Sequence, residues 1–319
     1  MPSEFDLIRR FFTRPTPQAV LGGGDDAALI QVTAGMELAV STDMLVVGRH
    51  FFPDADPFQL GYKALAVNLS DMAAMGARPH WATLSLCLPE AEERWLSAFS
   101  QGFFSIAHEY GVDLVGGDTT RGPLVISVQI MGEVPVGQAL RRDGAKPGDE
   151  VWVSGHLGDA ALALAHLQHR IVLMPHEAAL CLPALHMPTP QIELGQRLRQ
   201  VANSAIDISD GLLADLGHIL ERSNVAAEIE FTRLPASETL RKYLHMNEAR
   251  QCLLAGGDDY ELCFTAFAEH HEEVLSIARQ LKLALTCIGK IKAGKGLTLL
   301  DSRGKSIAYE ATGFDHFSE

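Results

Sequence analysis

The sequence predicts a mixed α/β protein built from two domains. Three observations carry that expectation. The chain has 319 residues, and domains run to about 150 residues each. Helical and strand-like patterns alternate along its whole length. A Gly-, Pro- and charge-rich stretch, PVGQALRRDGAKPGD at residues 135–149, interrupts the pattern before it restarts. The expected domains are residues 1–137 and 138–319.

Taken in order, Ser3 and Asp6 have the spacing of a capping box, and Phe5, Ile8 and Phe12 then recur at helical spacing. ELAVST at 37–42 reads as a strand. Asp56-Pro57 reads as a helix cap followed by a first-turn proline. The helix it opens runs through YKALAVNLSDMAAM and stops at Gly76. A second helix is expected over 90–110, closed by Gly111, with strands at 112–115 and 124–134. After the 135–149 linker come a strand at 151–155, an apolar helix at 158–168, a strand at 205–208 and a helix at 211–222. Further strands are expected at 260–265 and 284–288.

Composition excludes several classes. Lys and Arg number 26 against 40 Asp and Glu, a formal charge of -14. So acidic a surface repels phosphate backbones, which argues against nucleic-acid binding. Handling phosphates with it requires metal cations. The five cysteines are scattered without a C-x-x-C pair, which fits a reducing, cytoplasmic setting rather than a disulfide framework or a structural zinc site. No apolar run approaches the ~18 residues that span a bilayer. Arg9-Arg10 is followed by prolines and glycines rather than the apolar core of a signal peptide.

Chemistry concentrates in aspartates beside glycines. Gly22, Gly24 and Ala27 in LGGGDDAALI formally match the dinucleotide fingerprint. No clear strand precedes them, and Asp25-Asp26 would face a pyrophosphate with two negative charges, so the match is rejected. The phosphate-binding string G-x-x-x-x-G-K-[ST] occurs nowhere. A nucleotide site must therefore be built from acidic residues and Mg²⁺. The candidates stand at element ends: Asp26; Ser41, Thr42 and Asp43 after the first strand; Asn68 and Asp71, three apart on one helix face; Asp118 after Gly116-Gly117; Asp207 and Asp210 around Ser209. Mg²⁺ takes hard oxygen ligands and binds through one or two carboxylates plus substrate phosphates. These residues could hold several ions if a polyanionic ligand bridged them. Turn-forming and capping aspartates remain the alternative at each position, with Asp210 as an N-cap before Gly211. Spacing alone leaves both readings open. Lys63 reads as a solvated or ion-paired lysine, and His50 beside Phe51-Phe52 as a core histidine.

In chain order, LGGGDDAAL, STDMLVVGRHF, YKALAVNLSDMAAMGA, GGDTTRGP, RDGAKPGD, NSAIDISDGL, GGDDYELCF and GFDHF together resemble the thiamine-monophosphate kinase family. That family belongs to the superfamily of aminoimidazole ribonucleotide synthetase and selenophosphate synthetase, whose members use ATP without a P-loop. The resemblance spans almost the whole chain. It implies two α/β domains with mixed sheets, the first binding ATP and Mg²⁺ and pairing through its sheet into a homodimer, with the active site in a cleft near that interface. It implies transfer of the γ-phosphoryl of ATP to thiamine monophosphate. By motif, it assigns Asp26, Asp43, Asp71, Asp118, Asp207 and Asp210 to metal binding, with oxygens from Ser41 and Thr42. Gly117, Asp118, Arg142 and Ser209 fall to ATP, and His50, Asp258 and Phe314 to the thiamine phosphate pocket. Two positions depart from the family pattern. Asp258 stands where Glu is usual, one methylene longer, and Phe314 stands where Trp or Tyr is usual. The remaining alternatives are another ATP-dependent enzyme of the superfamily and a non-catalytic Mg-nucleotide-binding module.

Overall fold

The computed structural model describes residues 3–309. The chain divides into two units. One comprises Met1–Met72 with Ala77–Gly137, the other Ala73–Gly76 with Gln138–Glu319. Phe314 lies outside the described residues.

The first unit begins with a capping box. The Ser3 amide donates to Asp6 Oδ2 at 3.2 Å, and the Asp6 amide to Ser3 Oγ at 3.3 Å. The helix α1 (Glu4–Leu7) then loosens into a π-turn over Ile8–Phe12. The wider turn changes the phase of the apolar face. Leu7, Phe11 and Phe12 are buried, whereas Phe5 is 74% exposed; the expected Phe5–Ile8–Phe12 stripe is thereby corrected.

Four strands form this unit's sheet: β1 (Met36–Val46), β2 (Arg78–Leu88), β3 (Asp113–Arg121) and β4 (Val125–Pro135). Their order is β1-β4-β2-β3. β1 and β2 are antiparallel to β4, while β2 and β3 are parallel. Two long helices, α2 (Pro57–Ala74) and α3 (Glu93–Tyr110), accompany the sheet. Asp56 caps α2 as its sequence indicates, accepting from the Gln59 amide at 2.9 Å. A Cβ on Gly61 would lie 2.0 Å from the Phe99 carbonyl oxygen, and one on Gly102 1.8 Å from that of Phe58. These reciprocal glycines let the two helix backbones touch. Lys63, on α2, is buried rather than solvated.

The second unit has a six-stranded sheet of β5 (Glu150–Ser154), β6 (Ala202–Asp207), β7 (Ala226–Glu230), β8 (Leu262–Ala266), β9 (Leu285–Lys292) and β10 (Gly296–Leu300). The order is β10-β7-β9-β5-β8-β6, with only β10/β7 parallel. Around it lie α4 (Asp159–Leu167), α5 (Pro175–His186), α6 (Ile192–Leu198), α7 (Leu212–Ser223), α8 (Glu238–Tyr243), α9 (Asn247–Ala255) and α10 (His271–Leu281). Trp152 and Phe264 stack at 6.4 Å in the centre. The 135–149 stretch is irregular but packed. The Ala145 amide donates to Ser223 Oγ, and the buried Asp149 accepts from the Lys146 amide and Asn203. Among the described residues no helix is long and apolar enough to cross a membrane.

Candidate active site

In the first unit four of the sequence-selected residues, Ser41, Asp43, Asn68 and Asp71, gather where β1 faces α2. Strand alternation sends Ser41 and Asp43 to one face of β1 and Thr42 to the other. The Ser41 hydroxyl donates to Asp71 Oδ2 at 2.5 Å, and the Asp43 amide donates to Asn68 Oδ1 at 3.2 Å. Asn68 is fully buried and oriented by donating to the Ala64 carbonyl one turn back. Thr42 is exposed on the opposite face, where its hydroxyl receives Gln129 Nε2 from β4 at 3.4 Å.

Asp26 is exposed at the tip of a pinched loop. Leu21 and Leu29 exchange backbone hydrogen bonds at its neck, at 3.1 and 2.8 Å. A Cβ on Gly23 would stand 3.6 Å from the Val115 carbonyl oxygen, so the loop lies against β3. That strand carries Asp118, which sits inside it rather than after it. β3 continues because Gly117, at φ +152°, lets its backbone come within reach of β2; a Cβ there would fall 1.9 Å from the Leu84 carbonyl oxygen.

His50 closes the turn after β1. Its Nδ1 accepts from the Val46 amide at 3.0 Å, which places the ring proton on Nε2. It is half-buried in a turn, not a core histidine. Among the described residues, no group of three or more His, Cys, Asp or Glu side chains converges as metal ligands. The donors at β1 and α2 are nonetheless carboxylate, hydroxyl and amide oxygens, the chemistry that suits Mg²⁺ shared with a phosphate ligand.

In the second unit, β6 ends at the buried Asp207 and the chain turns through Ile208, Ser209 and Asp210 into α7. The N-cap position of α7 is Gly211, at φ 109°, one residue past the expected Asp210. The buried Asp215, from the first turn of α7, reaches back: its Oδ2 accepts the amides of Ser209 at 3.1 Å and Asp210 at 3.0 Å. Burial pushes the Asp215 carboxyl up to about 7 against the pull of those amides, with the Asp210 charge adding to the rise. The GGDDYE loop runs alongside. The Asp258 amide donates to the Ser209 carbonyl at 2.9 Å, and that of Tyr260 to Ile208 at 2.8 Å. Asp258 and Tyr260 take φ of 69° and 51°, so strand β8 starts only at Leu262. The Tyr260 hydroxyl donates to Asp258 Oδ1 at 3.0 Å.

Behind this loop two more acids are desolvated. Asp259 accepts the Gly158 amide at 2.9 Å, and burial drives its carboxyl far above the carboxylate range. Burial raises Glu261 to about 8, although Ser154 Oγ donates to it. Arg142 is exposed, and its carbonyl accepts from Ser223 Oγ at 2.8 Å. Its neighbour Arg141 is forked onto Asp143, at 2.9 and 2.6 Å. Asp215 and Tyr260 were not selected from sequence. Their signal, an acid five residues past Asp210 and a tyrosine two past Asp258, becomes readable only once the turns bring them back.

Two α/β units carrying acidic, glycine-bordered loops and no P-loop define a class that the family models also describe. Residues 24–134 match AIR synthase related protein, N-terminal domain, and residues 146–302 the C-terminal domain of the same family. The chain is 47% identical over 321 residues to a thiamine-monophosphate kinase of Escherichia coli K12, covering 99% of this chain and 98% of that one. The crystal structure of thiamine-monophosphate kinase from Stenotrophomonas maltophilia K279a superposes with a TM-score of 0.85 at 50% identity, covering 91% and 93% of the two chains. AaThiL complexed with AMPPCP and TMP gives 0.79 at 34% identity, covering 92% and 91%. The chain belongs to the thiamine-monophosphate kinase family.

Proposed function

We propose that this protein transfers the γ-phosphoryl group of ATP to thiamine monophosphate, yielding thiamine diphosphate and ADP. The observation that carries the reading is the full-length relation to thiamine-monophosphate kinases, 47% identical over 99% of the chain in the E. coli case. The all-oxygen pairing of β1 with α2 supports it.

Phosphoryl transfer needs positioning and charge neutralisation more than covalent chemistry. The acceptor is a phosphomonoester whose second pKa lies near ~6, so its attacking oxygen is ionised at neutral pH and no strong general base is required. Asp26, Asp43, Asp71 and Asp118 in the first unit would hold Mg²⁺, with Ser41 adding an oxygen while the Thr42 hydroxyl faces the other side of β1; Asp207 and Asp210 in the second unit would likewise serve as Mg²⁺ ligands. Bound there, Mg²⁺ supplies the positive charge that lets two polyanions meet on an acidic protein. Ser41 keeps the Asp71 carboxylate aimed by donating to it. Gly117 admits the backbone close to the nucleotide, Ser209 contributes polar contacts to it, and Arg142 offers an exposed guanidinium to its phosphates. His50, with its proton on Nε2, donates to the acceptor. Asp258 and Phe314 suit a cationic thiazolium ring.

The homodimer rests on the outward face of β1. Met36, Leu38, Val40 and Met44 alternate along this edge strand and are exposed, Val40 by 53% and Met44 by 55%. A long apolar edge strand is a template for pairing. A cytoplasmic location follows from the scattered, unpaired cysteine pattern.

Incubation with ATP, Mg²⁺ and thiamine monophosphate tests the function. Thiamine diphosphate is expected, and unphosphorylated thiamine should accept no phosphoryl group. ATP turnover with neither acceptor would leave the non-catalytic module excluded and the acceptor wrong.

A further inference from the structure

We propose that Asp215 is a positioning residue for this reaction: from inside the core it fixes the Ser209–Asp210 turn and, through the Ser209 carbonyl, Asp258. The inference rests on the functional reading above, which puts Ser209 and Asp210 on the nucleotide and metal side and Asp258 on the acceptor side.

Ser209 and Asp210 form the tip of a connection between β6 and α7. Their amides point toward the start of the helix, where the first amides lack intrahelical partners. Asp215 is 2% exposed, and a single oxygen, Oδ2, accepts both amides. The Asp215 amide in turn donates to the Gly211 carbonyl at 3.0 Å, so residue and turn are bound in both directions. Gly211 permits the turn by its φ of 109°; a Cβ there would meet the Ala255 backbone at 2.6 Å.

The turn is also a template. The Ser209 carbonyl accepts the Asp258 amide at 2.9 Å, and Ile208 exchanges hydrogen bonds with Tyr260 and Glu261 at 2.8 Å each. Gly257 lies so close that a Cβ on it would stand 2.5 Å from the Ser209 carbonyl oxygen. Displacing Ser209 therefore displaces Asp258. One carboxylate, itself in the core, sets the geometry of residues proposed to face both substrates.

The test compares the full chain with D215N, D215A and L216A. Asn retains a carbonyl oxygen able to accept two amides, whereas Ala does not. Leu216 is fully buried beside Asp215 and controls for lost stability alone. Well below the melting temperatures, D215A should raise KM for both ATP and thiamine monophosphate, with kcat/KM falling about 10- to 100-fold, as for a misplacement of order 1 Å. D215N should stay within about threefold of the parent, and L216A should leave both KM values unchanged. Amide hydrogen exchange gives a readout independent of turnover. In D215A the Ser209 and Asp210 amides should lose protection while β6 keeps it, and in D215N they should remain protected. Folded D215A with parental KM values overturns the proposal. So does equal impairment of D215N and D215A, or loss of Ser209 and Asp210 protection in D215N. A parent that fails to phosphorylate thiamine monophosphate refutes the functional reading, and the exchange data then decide the positioning role on their own.

Discussion

Ser41 and Asp71 belong to a strand and a helix 30 residues apart, and a single hydrogen bond of 2.5 Å from Oγ to Oδ2 joins them. One position further along the same face of β1, the Asp43 amide is held by Asn68, three residues before Asp71. The i, i+2 step of the strand thus meets the i, i+3 step of the helix, which is why these four residues share one place.

Asp71→Asn keeps an acceptor for Ser41 but removes the charge. Turnover should fall by about 100-fold or more, the scale of losing a charge that acts on the transferring group, while the melting temperature shifts little. Near-parental turnover would remove Asp71 from the metal ligands.

Gly117→Ala should be the costliest glycine substitution in the first unit's sheet. Its Cβ would overlap the Leu84 carbonyl oxygen and its φ of +152° disfavours a side chain. Denaturant unfolding should show a loss of about 3 kcal/mol or more. Gly111→Ala, at φ +65° in open space, should lose only about 1 kcal/mol. Equal losses would mean that β2 and β3 do not approach as closely as described.

Stability should fall as pH rises through neutrality. Burial lifts Asp215 to about 7 and Glu261 to about 8 from ordinary values of 3.8 and 4.5. Between those limits the folded chain retains protons that the unfolded chain has released. This contribution is therefore complete below the unfolded values and is lost as pH climbs through 7 and 8. Glu261→Gln cannot ionise and should flatten the upper part of the melting-temperature profile. An unchanged slope would show that Glu261 is not the group responsible.

Tyr260→Phe removes the hydroxyl that donates to Asp258 and keeps the ring. KM for thiamine monophosphate should rise about three- to tenfold, the scale of one hydrogen bond, with KM for ATP unchanged. A parallel rise for both substrates would assign Tyr260 to the fold rather than to the pocket.

Much of this was legible in the sequence because the signals were local. Asp56-Pro57 announced α2, and the 37–42 run announced the strand that extends to Val46. Pro183 inside α5 hid that helix behind a breaker. β2 went unseen because Pro79 sits near its start and its buried residues do not alternate cleanly; its register shifts there. Ser41, Asp43 and Asp71 could be selected by residue type, but only alternation along the full strand separates Thr42 from them. Asp215 was invisible because its partners are backbone amides, which carry no sequence signature.

If negative charge on this protein becomes usable through divalent cations shared with a nucleotide, thermal melts with a non-hydrolysable ATP analogue will depend on Mg²⁺. Analogue and Mg²⁺ together should raise the melting temperature, the analogue alone should not, and Asp71→Asn should lose most of the shift. An equal shift without Mg²⁺, or one undiminished in Asp71→Asn, would rule this use of divalent cations out.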